Sequence, residues 1–116
     1  MEHLFVYGTL APNRANAHIL ADVAGTWQGA SVRGHLHAEG WGATMGFPAI
    51  VLDDMADDVA GFVLTSDELH QHWQRLDDFE GAEYQRVLTA VRTADGEMLQ
   101  AYVYVLAKGL QADIVD

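Results

Sequence analysis

The chain contains no cysteine, which excludes a disulfide framework, a thiolate nucleophile and a cysteine metal site. That absence fits a reducing compartment, and a cytoplasmic protein is expected. Half of the residues are hydrophobic, yet no run approaches the roughly 20 uninterrupted apolar residues that span a bilayer. The first residues lack a basic segment followed by a long apolar one, so no secretory signal is expected. Positive charge is also scarce: Lys and Arg total 6 against 17 Asp and Glu, a formal net charge of -11. Nucleic-acid affinity depends on cations that neutralise phosphates, so a nucleic-acid partner is excluded, and an anionic membrane surface is disfavoured for the same reason. The main consequence of the charge is solubility. A small zwitterionic ligand remains admissible where donors gather at one site.

With no internal repeat, low-complexity tract or linker, the 116 residues are expected to form a single domain, 1–116, with its own core. His3 to Tyr7 reads as a buried first strand, and Asn13 to Val23 as a short helix capped by Asn13. Trp27 to Leu36, interrupted by Gly29 and Gly34, suits a short strand or a hairpin. The stretch from Ala38 to Pro48 carries Gly40, Gly42 and Gly46 and reads as a loop able to bend over a pocket. Ala49 to Leu52 is a short strand, Asp53 to Asp58 an acidic turn, and Val59 to Thr65 a strand with Ala60, Phe62 and Leu64 on one face. Thr65 and Glu68 have the spacing of a capping box. The helix after them aligns Leu69, Trp73 and Leu76 and should end near Asp77 to Gly81. Tyr84 to Thr93 and Met98 to Leu106 form two strands joined through Asp95-Gly96, a favoured two-residue hairpin turn, and the last ten residues read as a lightly held tail. Strands outnumber helices and follow one another directly. The expected fold is therefore α+β, a small mixed, antiparallel-rich β-barrel with one main helix.

Two segments carry chemistry. In Phe5-Val6-Tyr7-Gly8-Thr9-Leu10 an apolar run stops at a glycine and a hydroxyl residue. Such a strand exit leaves backbone N–H groups facing outward, and glycine lets a ligand approach the main chain. Far downstream, Leu76-Asp77-Asp78-Phe79-Glu80-Gly81 supplies carboxylates. Taken alone, Glu80 reads more readily as a solvated acid at a helix end, and Tyr7 to Leu10 as a tight strand exit. His35 and His37 share a strand face, but no third ligand is placed and Arg33 on that face repels a cation. No metal site and no cofactor is assigned. Arg86 suits either an ion pair with Asp77 or Asp78 or a solvent-facing position. Trp27, Trp41 and Trp73 read as core or pocket wall.

The ordered set of motifs resembles the gamma-glutamylcyclotransferase-like family, which includes the gamma-glutamylamine cyclotransferases and the AIG2-like group. The resemblance runs through Val6-Tyr7-Gly8-Thr9-Leu10, Asn16, Leu20, Val32-Arg33-Gly34-His35-Leu36, Phe47-Pro48-Ala49 and Val59-Ala60-Gly61. It is most specific at Leu76 to Gly81 with Tyr84-Gln85-Arg86, and closes at Ala101-Tyr102-Val103-Tyr104. It implies a small mixed barrel with its pocket at the Tyr7–Leu10 loop, and conversion of gamma-glutamyl amides to 5-oxoproline and free amine. The family's catalytic acid/base matches Glu80. One departure stands out: the family often has a basic residue, proline and glycine after the loop, where this chain has Ala11-Pro12-Asn13.

The implied reaction suits the residues. The substrate's alpha-amine attacks its own gamma-carbonyl, and well-oriented intramolecular attack is worth about 7–11 kcal/mol. No metal, nucleotide or covalent nucleophile is required. An ordinary Glu near pKa 4.3 is a weak base for an alpha-amine near roughly 7.7–8.0, so burial or neighbouring acids (Asp77, Asp78, Glu83) would have to narrow the gap. With cations scarce, the N–H groups of Gly8, Thr9 and Leu10 are the natural donors to a carboxylate and an oxyanion, with Tyr7 as wall or donor. The expected partner is a small gamma-glutamyl substrate. A non-catalytic small-molecule-binding protein using the same pocket is the alternative, and an oligomeric interaction domain presenting Trp41 is a third.

Overall fold

A computed structural model describes residues 2–7, 20, 23–37, 49–80 and 84–106. Its strands are β1 (Glu2–Val6), β2 (Thr26–His37), β3 (Ala49–Leu52), β4 (Asp58–Ser66), β5 (Tyr84–Thr93) and β6 (Met98–Leu106). A 3-10 turn at Leu69–Gln71 leads into helix α1 (Trp73–Glu80). The sheet order is β3-β2-β4-β1-β6-β5, and β5 pairs back onto β2, so five strands close a barrel with β3 attached to the edge of β2. β1 and β6 run parallel, whereas the other described pairs are antiparallel. The fold is the expected α+β mixed barrel.

Two cores explain why β1 and the end of β4 read as continuous apolar runs. Phe5, Val32, Val63, Val91, Ala101, Val103 and Val105 belong to one buried cluster together with Ile50. Leu4, Val6, Leu64 and Tyr104 project from the opposite faces of the same strands and meet Leu20, Val23, Leu69 and Leu76. Burying each such aliphatic side chain contributes about 1.5–3 kcal/mol. Trp73 and Phe79 pack on this second cluster, which fixes α1 against the barrel beside β5. The face expected to carry Ala60, Phe62 and Leu64 is therefore the outer one, buried at Leu64 and exposed at Ala60 and Phe62.

Some local expectations are corrected. Trp27 to Leu36 is no hairpin; it lies within one 12-residue strand, in which Gly29 pairs with Phe62 and Gly34 with Leu52. Cross-strand partners on β4 and β3 keep both glycines extended. Thr65 does not cap the helix, because it stays in β4 and shares a hydrogen bond with His3 (2.8 Å). Ser66, the last residue of β4, accepts the Glu68 N–H on its Oγ at 2.9 Å and donates to the Ala24 carbonyl, and the 3-10 turn that follows has no side-chain cap at Glu68. The β5–β6 turn uses three loop residues rather than two. Gly96 N–H returns to the Thr93 carbonyl, and Thr93 N–H donates to Glu97. Among the described glycines only Gly96 has a positive φ, 88°, whereas a two-residue type I′ turn needs two such residues. The expected helix over Asn13 to Val23, the glycine-rich loop Ala38 to Pro48 and the tail lie outside the described residues, apart from buried Leu20 and Val23.

Candidate functional site

The parallel pairing of β1 with β6 sends both strand exits to one end of the barrel. β5 begins there, because Tyr84 pairs with Leu106. α1 starts beside the beginning of β1, where Trp73 Nε1 donates to Glu2 Oε2 at 3.2 Å, and it rises toward the exits. Its last residue, Glu80, stands three positions past Asp77 and four before Tyr84. Three helical steps rise about 4.5 Å, and four chain steps span at most about 14 Å. The backbone of Glu80 is thereby confined to the barrel end at which β1 delivers Tyr7.

A recess of about 300 Å³ opens at this end, lined by Asp77, Tyr84, Arg86 and Tyr104. Arg86 Nε donates to Asp77 Oδ1 at 3.1 Å and Nη2 to Oδ2 at 3.3 Å, a two-point pair that aligns the guanidinium with the carboxylate. The same guanidinium lies 4.3 Å from the Trp73 ring centroid and 5.3 Å from that of Tyr102, which adds cation–π attraction. Trp73 and Tyr102 meet edge to face with centroids 5.0 Å apart. Tyr104 donates its hydroxyl to Asp77 Oδ1 at 2.6 Å. Its main-chain carbonyl accepts the Tyr7 hydroxyl, also at 2.6 Å.

The sequence-derived site residues fall as follows. Tyr7 is half-buried, stacks on Phe5 with centroids 6.3 Å apart, and commits its hydroxyl hydrogen to β6. Gly8, Thr9 and Leu10 lie outside the described residues, as does the side chain of Glu80, whose backbone closes α1. Arg86 takes Asp77 of its two expected partners, while Asp78 accepts from Gln74 at 3.1 Å. Sequence reasoning treated Tyr84 and Tyr104 as marks of resemblance and not as site residues. Strand alternation was the available signal, since it sets Tyr84 with Arg86, and Tyr102 with Tyr104, on common faces.

Away from this end, His35 bonds Asp53 at 3.0 Å, and Arg33 pairs with Asp58 at 3.7 Å. The Met55 N–H and then His35 hold the Asp53 carboxyl below its usual range. Among the described residues no group of three or more His, Cys, Asp or Glu is arranged to hold a metal, and no helix is long and apolar enough to cross a membrane.

A closed mixed barrel, flanked by one described helix that ends where β1 leaves, defines a class of small α+β barrel proteins. The model of the gamma-glutamyl cyclotransferase, AIG2-like family matches residues 4–115. The chain belongs to that family. It is 32% identical to YkqA from Bacillus subtilis with a TM-score of 0.68, over 90% of this chain but 35% of that longer one. An AIG2-like protein from Mus musculus shares the fold at 24% identity and a TM-score of 0.70, covering 96% of this chain and 82% of its own. A structure named gamma-glutamyl cyclotransferase shares the fold at 18% identity and a TM-score of 0.66, over 91% of this chain and 66% of that one. No curated protein sequence matches the chain. Family and fold together support a gamma-glutamyl cyclotransferase-like function.

Proposed function

We propose that the protein is a cytoplasmic enzyme that converts a gamma-glutamyl amine or peptide to 5-oxoproline and free amine. Glu80 takes the proton from the substrate's ammonium and delivers one to the departing nitrogen. Between these two transfers the freed alpha-amine adds to the gamma-carbonyl. The amide C–N bond breaks as its nitrogen is protonated, and the ring nitrogen's surplus proton passes to the released amine, so one carboxylate serves both Glu80 transfers. The N–H groups of Gly8, Thr9 and Leu10 receive the substrate carboxylate and the developing oxyanion, and Tyr7 anchors the loop that carries them. Fixed main-chain donors suit this work because they need no reorganisation as charge develops.

The observation that carries this reading is topological. The parallel β1–β6 pair and the docking of α1 against β5 bring Tyr7, which opens the first motif, and Asp77, inside the second, to one barrel end. Tyr7 and Asp77 are 70 positions apart in sequence, and nothing local requires their segments to meet. Incubation with a panel of gamma-glutamyl amines and dipeptides should release 5-oxoproline. Glu80→Gln should lower turnover about 10²- to 10⁴-fold, the usual contribution of a positioned acid/base, with the melting temperature unchanged. Equal rates for wild type and variant would remove Glu80 from the mechanism. Ligand-induced thermal stabilisation without any turnover would instead assign the pocket to a binding protein.

A further inference from the structure

One residue touches both halves of the proposed site. Tyr104 is 5% exposed and uses two different groups for two different elements. Its carbonyl accepts from Tyr7, the residue that begins the loop after β1, and its hydroxyl donates to Asp77, one helical turn before Glu80. Asp77 is held in turn by Arg86 from β5, whose guanidinium is seated on Trp73 of the same helix. The geometry points to Tyr104 as the positioning residue of the site: it ties the β1 exit and the last turn of α1 into one frame. This inference rests on the proposed reaction for its catalytic consequence, though not for the frame itself.

The physical reason is proximity. In an intramolecular cyclisation the protein contributes mainly by holding a folded-back conformer against its acid/base, and a misplacement of about 1 Å can cost 10²-fold. A hydroxyl bonded to the helix and a carbonyl bonded to the strand exit on a single buried residue limit relative movement of the two. Tyr104 needs no contact with substrate to have this effect.

Tyr104→Phe removes the hydroxyl alone. In that variant, hydrogen exchange of the amides of residues 76–80 should accelerate about tenfold or more, while the β5–β6 turn at 93–97 stays at its wild-type rate. Given an active wild type, kcat should fall about 10- to 100-fold with KM changed less than about twofold, the signature of an interaction that matters in the transition state. Tyr7→Phe and Asp77→Ala each remove a bond to Tyr104, from opposite sides, so their combined loss should be smaller than the product of the single losses. Asp77→Ala also breaks the same hydrogen bond from the helix side should Tyr104→Phe not fold. Unchanged exchange at 76–80 overturns the frame. An active wild type whose kcat survives Tyr104→Phe within twofold, or whose Tyr7 and Asp77 losses simply multiply, overturns the positioning role. A wild type without turnover sinks the proposed reaction instead, and accelerated exchange then upholds the frame alone.

Discussion

The two ends of the β5–β6 hairpin are built by different means. At its turn, Thr93, Asp95 and Glu97 satisfy one another across no more than four residues of sequence. At its open end, Arg86 and Tyr104 meet Asp77 and Tyr7, and the two Tyr104 bonds join residues 27 and 97 positions apart. The turn can assemble from its own sequence. The open end exists only once β1 has paired with β6 and α1 has docked, so the loop-closure cost of distant segments falls on the candidate site. The candidate site sits at the end where the chain has the most to organise.

Two glycines turn this contrast into measurements. Near the open end, a Cβ at Gly61 would overlap the Val6 carbonyl oxygen and lie 2.6 Å from Phe5 Cζ. Gly61→Ala must therefore push β1 outward immediately before Tyr7. Overpacking of this kind costs about 1–3 kcal/mol, and thermal unfolding should show it as a lower midpoint. A Gly61→Ala protein as stable as wild type would break the view that close packing sets the β1 exit. At the turn the situation reverses. A Cβ at Gly96 would meet nothing within 4 Å, but the residue's φ is +88°, so Gly96→Ala is strained by the backbone alone, at about 1 kcal/mol. Gly96→Asn should recover part of that loss because Asn tolerates the left-handed region. If Ala and Asn prove equal at position 96, the φ argument is wrong.

The same contrast explains what the sequence could reveal. Periodicity located β3, β5 and β6, and the spacing of Leu69, Trp73 and Leu76 identified residues that meet the barrel, because burial imposes those patterns residue by residue. Leu69 belongs to the 3-10 turn, however, and not to the one continuous helix that the spacing implied. Asp95-Gly96 announced a turn, although its loop length depended on where the ladder stopped, which one dipeptide does not encode. Gly29 and Gly34 suggested a break in β2, but partners on β4 and β3 overrode a local preference. The Asp77–Arg86 pair was within reach of sequence reasoning, being nine residues apart. The Tyr7–Tyr104 bond was not, since nothing near Tyr7 specifies that β6 will lie parallel to β1.

The smallest effect belongs to Asp95. Its carboxylate accepts from the Thr93 hydroxyl and from the Glu97 N–H, and these bonds, the hydroxyl first, hold its pKa below the ordinary value of 3.8. A carboxyl depressed in the folded state is more protonated in the unfolded chain at the same pH. Its contribution to stability is thus complete above about pH 4 and is lost as pH falls through the folded value. Asp95 is fully exposed, so the change is slight, and it should appear first as local fraying of residues 93–97. Carboxyl-detected NMR should place the Asp95 midpoint below 3.8, and Asp95→Asn should flatten the acid-side loss of turn protection. The recess at the open end should be indifferent to that substitution, because no bond described there passes through Asp95. An Asp95 midpoint at or above 3.8 would show that the turn is held by its backbone alone, and that its difference from the open end lies in Gly96 rather than in the side chains around it.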